Sequence, residues 1–369
     1  MKDLKKAEDL RVRLISWYAD NARPLPWRET HDPYLIWISE IMLQQTQVAT
    51  VIPYYLKFSK RFPTIKRLAE ASLEEVLALW SGLGYYKRAR QVKQSAEQII
   101  KGFDGLIPRV HKDLLSLPGI GKYTAGAILS IAYDLNYPIL DGNVMRVLSR
   151  VFAMDEVLNA KGVQNKLWSL AEKILPEKKA GMFNQALMEL GALICLPSGK
   201  KSLCHDCPIS KLCEAHQKDL VSQLPKLPEK REKVKIQQVM FLLLEKKGFL
   251  ILQRPDDVLL KGMWELPGKE ISDQPHQEAA YQILKEDFAV DGNPHYLSSL
   301  SHSITYRAIT CHVYLIHVSG EVKKSLMNRL ESRTLEYRWI QRDELQDLPH
   351  SSLIDKVMLL LDPVQKDLF

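Results

Sequence analysis

The segment Leu-Pro-Gly-Ile-Gly-Lys-Tyr-Thr-Ala-Gly at 117–126 constrains the fold more than any other stretch of this chain. It reads as a short helix, a glycine-rich hairpin and a second helix. Gly119 and Gly121 allow backbone conformations that a Cβ resists, so consecutive N–H groups can point outward at a helix N-terminus. Such a turn is an anion site. Leu-Asp-Gly-Asn-Val follows at 140–144, and its Asp141 lies close enough in sequence to be held near the bound anion. A phosphate grip and a catalytic carboxylate are therefore expected from one stretch.

The charge balance points to the kind of anion. The chain carries a net +7, with 30 Lys and Arg against 22 Asp and Glu in residues 1–216, and 21 against 22 in residues 217–369. The basic excess travels with the hairpin, which favours a nucleic-acid backbone over a merely solvated surface. No apolar run approaches the ~20 residues of a membrane span. The start, Met-Lys-Asp-Leu-Lys-Lys, has no signal-peptide core. A cytoplasmic protein with no membrane partner is expected.

At 369 residues the chain is long enough for two domains with separate cores. Residues 4–215 read as helical, with apolar residues at helical spacing in 64–80, 86–100, 111–116, 123–133, 143–153 and 165–194. Residues 217–234 carry paired prolines and mixed charge and read as a linker. Beyond it the period changes. Residues 239–244 and 249–253 form a hairpin pattern around Lys-Lys-Gly, 311–318 and 337–340 read as strands, and 277–288 and 352–361 as helices. The expected domains are 1–216, all-α, and 235–369, α+β, joined by the linker.

Cys195, Cys204, Cys207 and Cys213 fall in the pattern C-x8-C-x2-C-x5-C. In a cytosolic chain disulfides are a poor explanation. Thiolates grouped on a short loop suit a tetrahedral zinc ion or a [4Fe–4S] cluster, and spacing does not choose between them. Lys200, Lys201 and Lys211 lie in the same loop and would face a phosphate backbone.

Taken with Pro-Leu-Pro-Trp-Arg at 24–28, Ser-Glu-Ile-Met-Leu-Gln-Gln-Thr-Gln-Val at 39–48, Gly-Leu-Gly-Tyr-Tyr-Lys-Arg-Ala-Arg at 82–90 and Phe-Asn-Gln-Ala-Leu-Met-Glu-Leu-Gly-Ala at 183–192, these motifs run in one order. The chain resembles the adenine-specific mismatch DNA glycosylases of the helix-hairpin-helix superfamily over nearly its whole length. The resemblance implies an all-α helix-hairpin-helix glycosylase domain followed by an α+β Nudix-like domain. It also implies a [4Fe–4S] cluster on the four cysteines. The eight residues between Cys195 and Cys204 exceed the family's usual gap by two, lengthening the loop Leu196–Leu203. The implied partner is double-stranded DNA holding adenine opposite 8-oxoguanine or guanine. The protein would act as a monomer, in a bacterial cell at the nucleoid.

Releasing adenine breaks a bond between a sugar carbon and a base nitrogen through an oxocarbenium-like transition state. An acid must protonate the base and a carboxylate must stabilise the sugar cation, as in glycoside hydrolysis. By the resemblance Glu40 is the acid. Its apolar neighbours Trp37, Ile38, Ile41 and Met42 would desolvate it and keep it protonated. Asp141 is the stabilising carboxylate, and also suits a helix N-cap. Asn143 and Tyr123 belong with it. Bifunctional relatives of the endonuclease III branch carry a lysine at the position of Tyr123. Lys122 is one residue off, turned ~100° away on a helix, so base excision without a lyase step is expected.

The base must leave the duplex to be cut. Leu25, Trp27, Arg28 and Gln185 resemble the walls of the adenine pocket, Gln45 the wedge, and Thr46, Leu83 and Tyr85 readers of the opposite base. Gly119 and Gly121 hold the backbone phosphate. In the second domain Trp264-Glu265-Leu266-Pro267-Gly268 enters a Nudix-like pattern whose metal-binding positions hold Gln282, Ile283, Glu286 and Asp287. Hydrolysis is not expected from that set. Leu300-Ser301-His302 resembles the loop that reads 8-oxoguanine, with leucine where the family usually has phenylalanine.

Overall fold

The computed structural model describes residues 2–197, 200–229, 232–246, 248–255, 260–272, 274–304 and 306–368. Ser198 and Gly199 of the expected cysteine loop, Lys230 and Arg231 of the linker and Lys247 of the hairpin turn lie outside them. Close packing divides the chain into two units, one of residues 1–70 and 91–229, the other of residues 71–90 and 230–369.

In chain order the helices of the first half are α1 (Lys2–Asn21), α2 (Pro33–Leu43), α3 (Val48–Arg61), α4 (Ile65–Glu70), α5 (Leu73–Leu79), α6 (Lys87–Gly102), α7 (His111–Leu115), α8 (Lys122–Ala127), α9 (Gly142–Val151), α10 (Val163–Ile174), α11 (Ala180–Leu193) and α12 (Glu214–Gln217). The stretch 64–80, expected as continuous, is broken at Ser72, whose hydroxyl accepts from the Glu75 N–H at 3.1 Å and caps α5. The stretch 165–194 is likewise two helices, α10 and α11, parted around Pro176. Proline lacks the N–H a helix interior needs. Only the first part of 123–133 is α-helix; Ile128–Ala132 widens into a π-helical turn.

The first unit packs helix on helix. Leu10 and Leu14 of α1, Val147 and Leu148 of α9, Leu167 of α10, and Phe183, Leu187 and Leu190 of α11 form one buried cluster. Each such side chain contributes about 2 kcal/mol by leaving water. Helix α2 differs from the rest in being apolar almost all round, with Tyr34 and every residue from Ile36 to Met42 buried. Asp32 caps it by accepting from Tyr34 N at 2.8 Å, and Pro33 occupies its first turn. The glutamate of that helix, Glu40, is buried with its apolar neighbours.

The hairpin 117–121 leans on α6. Ser95 Oγ donates to Pro118 O at 2.7 Å. Gly119 has φ +79°, and a Cβ there would come within 2.9 Å of Gln91 Cβ. Gly121 has φ −94° with open space around it. Only the first glycine is therefore required by the backbone, a correction to the paired role expected of them.

The second unit is a mixed sheet with helices on both faces. Its strands are β1 (Val234–Glu245), β2 (Gly248–Gln253), β3 (Trp264–Glu265), β4 (Gly268–Ile271), β5 (His295–Ile304), β6 (Arg307–His317) and β7 (Tyr337–Ile340). They lie in the order β3-β2-β1-β6-β5, with β4 on β1 and β7 on β2. The β1 and β6 pair is parallel and the others are antiparallel. Met240, Leu242 and Leu244 of β1 face helix α15 (Ser352–Leu368), while Val239, Phe241 and Leu243 face α13 (His276–Phe288) and α14 (Gly320–Ser332). A strand covered on both faces reads as an unbroken apolar run, as Val239–Leu244 of β1 does.

Segment 71–90 belongs to this unit. The Tyr86 hydroxyl donates to His350 O at 2.8 Å and accepts from Gly82 N at 3.0 Å, and Ser81 Oγ donates to His350 O at 2.9 Å.

Candidate active site

A cavity of about 660 Å³ in the first unit is lined by Glu40, Gln45 and Thr46 from the end of α2, by Tyr123 of α8, by Asp141 and Asn143 at the start of α9, and by Gln185 and Glu189 of α11. Leu25, Trp27 and Arg28 form one wall, and Gly119, Gly121 and Lys122 lie at the hairpin side. Its size suits a small-molecule or single-nucleoside guest.

Glu40 is 4% exposed. Burial among the apolar residues of α2 raises its carboxyl to about 7; the hydrogen bond from Tyr123 pulls the other way, and nearby Asp141 adds to the rise. The Tyr123 hydroxyl donates to Glu40 Oε2 at 2.5 Å and also approaches Met188 Sδ at 3.3 Å. Burial pushes the Tyr123 phenol well above its ordinary range, so it stays a neutral donor.

Asp141 caps α9, accepting from Val144 N at 2.7 Å, and its other oxygen accepts from Asn143 Nδ2 at 3.0 Å. Burial raises its carboxyl while these bonds favour the ion. Asn143 is held in turn by Arg146, whose Nη2 donates to Asn143 Oδ1 at 2.9 Å and whose Nε donates to Cys195 O at 2.8 Å. Helix α11 lies close enough to Asn143 that a Cβ on Gly191 would come within 2.7 Å of Asn143 Cβ. Two carboxyls thus share one cavity; burial raises both, but Asp141 accepts from Val144 N and Asn143 Nδ2 whereas Glu40 accepts from the Tyr123 hydroxyl. That is the asymmetry an acid and an electrostatic partner require.

At the pocket wall Trp27 is buried and meets Tyr55 edge-on at 5.3 Å. Tyr18 Oη donates to Gln185 Oε1 at 3.1 Å. Arg28 is paired with Glu189 of α11, a carboxylate that sequence reasoning passed over although it lies one helical turn beyond Gln185. Arg23 grips the same carboxylate. Its place in an irregular segment gave no periodic signal. Lys122 Nζ sits 4.1 Å from the centre of the Trp168 ring, so this amine is engaged by an aromatic face. Gln45 is exposed, with φ +57° in the turn between α2 and α3, an uncommon conformation for a residue with a side chain.

The four cysteines of the cluster pattern line one small cavity beneath α9 and α11, with Arg150 beside them. The buried Arg150 guanidinium donates to Cys195 Sγ at 3.2 Å, Leu196 O at 2.7 Å and Leu224 O at 2.8 Å, tying the loop ends together. No cysteine is in a disulfide. Among the described residues, no three His, Cys, Asp or Glu side chains are grouped as the ligands of a single metal ion would be.

In the second unit Leu83 is buried, whereas Tyr85 is 47% exposed with φ +51°. Tyr85 lines a cleft of about 580 Å³ together with Lys87, Arg90, Lys261, His302 and Ile304. Leu300, Ser301 and His302 lie within strand β5 rather than in a loop, paired with Cys311, Thr310 and Ile309 of β6. Successive side chains of a strand face opposite sides. Leu300 accordingly packs on the core cluster and Ser301 is exposed, and of the three only His302 lines the cleft. Burial and the charge of Lys356 lower the His302 imidazole, keeping it neutral near pH 7. Of the Nudix-pattern positions, Ile283 is in the core, Gln282 bonds Glu286, and Asp287 pairs with Lys269 and Arg333.

Residues 38–173 match the family model described as HhH-GPD superfamily base excision DNA repair protein, and residues 239–360 match the NUDIX domain model. An adenine DNA glycosylase of Rattus norvegicus is 36% identical, covering 96% of this chain and 78% of the relative. One from Buchnera aphidicola subsp. Baizongia pistaciae is 42% identical over 68% of this chain and 70% of its own. The Homo sapiens adenine DNA glycosylase is 33% identical over 96% and 74%. Among solved structures, a thermostable thymine-DNA glycosylase aligns at TM-score 0.53 and 33% identity, covering 58% of this chain and 98% of that one. An endonuclease III–DNA covalent intermediate aligns at 0.50 and 21% over 59% and 98%, which bears on the fold alone. With relatives this similar along most of both chains, the protein belongs to the adenine DNA glycosylase family, built on the helix-hairpin-helix base-excision fold with a Nudix-like domain.

Proposed function

We propose that this protein removes adenine from DNA in which the base is mispaired with 8-oxoguanine or guanine, after flipping it into the cavity of the first unit. The observation that carries the reading is Glu40, buried in an apolar helix, bonded to Tyr123 and facing the same cavity as Asp141. A carboxyl held near pH 7 can deliver a proton to the leaving adenine and afterwards take one from water. Asp141, fixed by its cap and by Asn143, is placed to stabilise the positive sugar. Leu25, Trp27, Arg28 and Gln185 form the base pocket, and the exposed, left-handed Gln45 suits a wedge, with Thr46 beside it. Gly119 and Gly121 offer their N–H groups to the backbone phosphate.

The absence of a lysine at 123, and the engagement of Lys122 by Trp168, support hydrolysis without strand cleavage. Leu83, Tyr85 and the cleft bearing His302 support reading of the opposite base by the second unit, with Ser301 and Leu300 setting the strand. In chain order this corresponds to a catalytic domain over 1–216, a linker over 217–234 and a recognition domain over 235–369.

Cys195, Cys204, Cys207 and Cys213 are the residues that would hold a [4Fe–4S] cluster. Their convergence on one cavity supports that reading. Such a cluster would supply no step of base release; it would pin the loop that presents Lys200, Lys201 and Lys211 to DNA. The working form is a monomer on double-stranded DNA, at a bacterial nucleoid.

The test is single-turnover adenine release from a duplex with adenine opposite 8-oxoguanine, read with and without an alkaline step. Release that nicks the strand only after alkali, and is lost in Glu40→Gln, is the expected result. Tight binding with no release by the wild type would leave a lesion-binding protein instead.

A further inference from the structure

Glu189 is the most heavily bonded carboxylate at the pocket wall, and the chemistry above makes no use of it. It is 1% exposed. Its Oε1 accepts from the Arg23 backbone N–H at 3.0 Å, Arg23 Nε at 2.8 Å and Arg28 Nη1 at 3.1 Å. Its Oε2 accepts from Arg23 Nη2 at 2.7 Å and Arg28 Nη2 at 2.8 Å. Each guanidinium therefore reaches both oxygens of the carboxylate, a two-point grip stronger than a single hydrogen bond. Arg28 Nη1 also donates to Arg23 O at 3.0 Å, and its guanidinium lies 5.3 Å from the Tyr18 ring.

We propose that Glu189 is a positioning residue for base excision: by pairing with Arg23 and Arg28 it fixes the Arg28 guanidinium at the pocket wall and cancels charge that would otherwise act on Glu40. The proposal rests on the reading of Glu40 as the acid. Burial opposes the Glu189 ion, but its bonds from Arg23 and Arg28 win and hold it down to about 2, so the counter-charge is present at every working pH. Arg28 already pulls on the Glu40 proton, against burial. The other groups around Glu40 are Tyr123 from α8 and Asp141 at the cap of α9, with Arg23, Lys122 and Glu189 lining the same cavity. Of these, Glu189 is the one whose removal adds an unbalanced positive charge directly on a base-pocket residue. A glutamate whose only task was to brace α11 against the 23–28 segment would not influence when Glu40 gives up its proton.

The experiment is the pH dependence of single-turnover adenine release, at saturating enzyme and on the full chain. In the wild type the rate falls as pH rises through the value at which Glu40 ionises. In Glu189→Gln that basic limb should move down by roughly one pH unit, the size expected of one unit charge several ångströms away in a protein interior. Arg23→Gln, which removes a half-exposed cation and leaves the Arg28–Glu189 pair, should move it up. Glu189→Asp, which keeps the charge, should restore the wild-type limb even if the plateau rate is lower. A slower Glu189→Gln whose limb stays in place would overturn the proposal and leave Glu189 a brace. Should Glu189→Gln not fold, the Arg23→Gln shift decides alone, and an unmoved limb there is equally fatal. A wild type without a basic limb, or an active Glu40→Gln, would overturn the reading of Glu40 itself, a failure separable from that of Glu189.

Discussion

Glu40 concentrates a conflict between stability and function in one side chain. Its carboxyl is raised from 4.5 to about 7, so the folded state favours the protonated form. The stability this represents is present in full below pH 4.5 and is lost as pH rises through 7. Glu40→Gln keeps the shape, and its amide oxygen can still accept from Tyr123, but it carries no charge to bury. The variant should therefore be inactive yet more stable than the wild type at pH 8, by roughly 3 kcal/mol. Near pH 4.5 the difference should vanish. Thermal or denaturant melts at the two pH values measure this directly, and equal stabilities at pH 8 would mean that Glu40 is not desolvated. The residue types of this site were legible in the sequence, since Glu40, Asp141, Asn143 and Tyr123 sit in ordered motifs. Glu189 was not, because its role comes from two arginines more than 150 residues away in the chain, and no local pattern encodes that pairing.

At the scale of elements, two glycines that look equivalent in the sequence behave differently. Gly119 carries φ +79° and crowds Gln91, whereas Gly121 is extended with room for a side chain. Gly119→Ala should destabilise the protein by about 1–2 kcal/mol and weaken DNA binding, through both the left-handed backbone and the clash. Gly121→Ala, at an N-cap with open space and no left-handed backbone, should cost less, under about 1 kcal/mol. Denaturation midpoints and gel shifts on the pair of variants test the contrast, and equal penalties would refute it. Helix periodicity placed helices over 86–100 and 143–153, and they run Lys87–Gly102 and Gly142–Val151. It joined α4 to α5 because a capping serine interrupts the chain for only a few residues while the apolar rhythm carries on, whereas the punctuating Pro176 marks the break between α10 and α11. Strand β5 escaped notice altogether: His295–Ile304 alternates serine with larger residues and has too few apolar side chains to declare itself. Its pairing with β6 across eleven-residue and ten-residue strands is what makes it a strand.

For the molecule as a whole, the packing units do not follow the order of the chain. Segment 71–90 lies between helices of the first unit in sequence but packs with residues 230–369. Tyr86 and Ser81 both donate to the His350 carbonyl, and Trp80 is fully buried. A chain cut after residue 229 should therefore leave 71–90 without its packing partner. Hydrogen exchange in that segment should rise by at least tenfold relative to the full chain, while α9 and α11 keep their protection. Unchanged exchange would show that 71–90 holds its structure unaided. Tyr86→Phe offers a milder version, removing the donor to His350 O and the acceptor for Gly82 N at a cost of about 1–2 kcal/mol.

What the amino-acid sequence determined by itself was local and periodic: a helical first part, a change to strand pattern beyond residue 234, a glycine-rich hairpin at 117–121, a cap at Asp141 and a cysteine loop. These are set by backbone conformation and by the spacing of apolar residues, which act within a few positions of each other. Tertiary structure alone decided which carboxyl would be dry, which arginines would share Glu189, which face of β5 would carry His302 into a cleft, and to which unit residues 71–90 belong. Desolvation, ion pairing and strand register depend on what lies across a cavity or a sheet, and those neighbours are chosen only when the whole core closes.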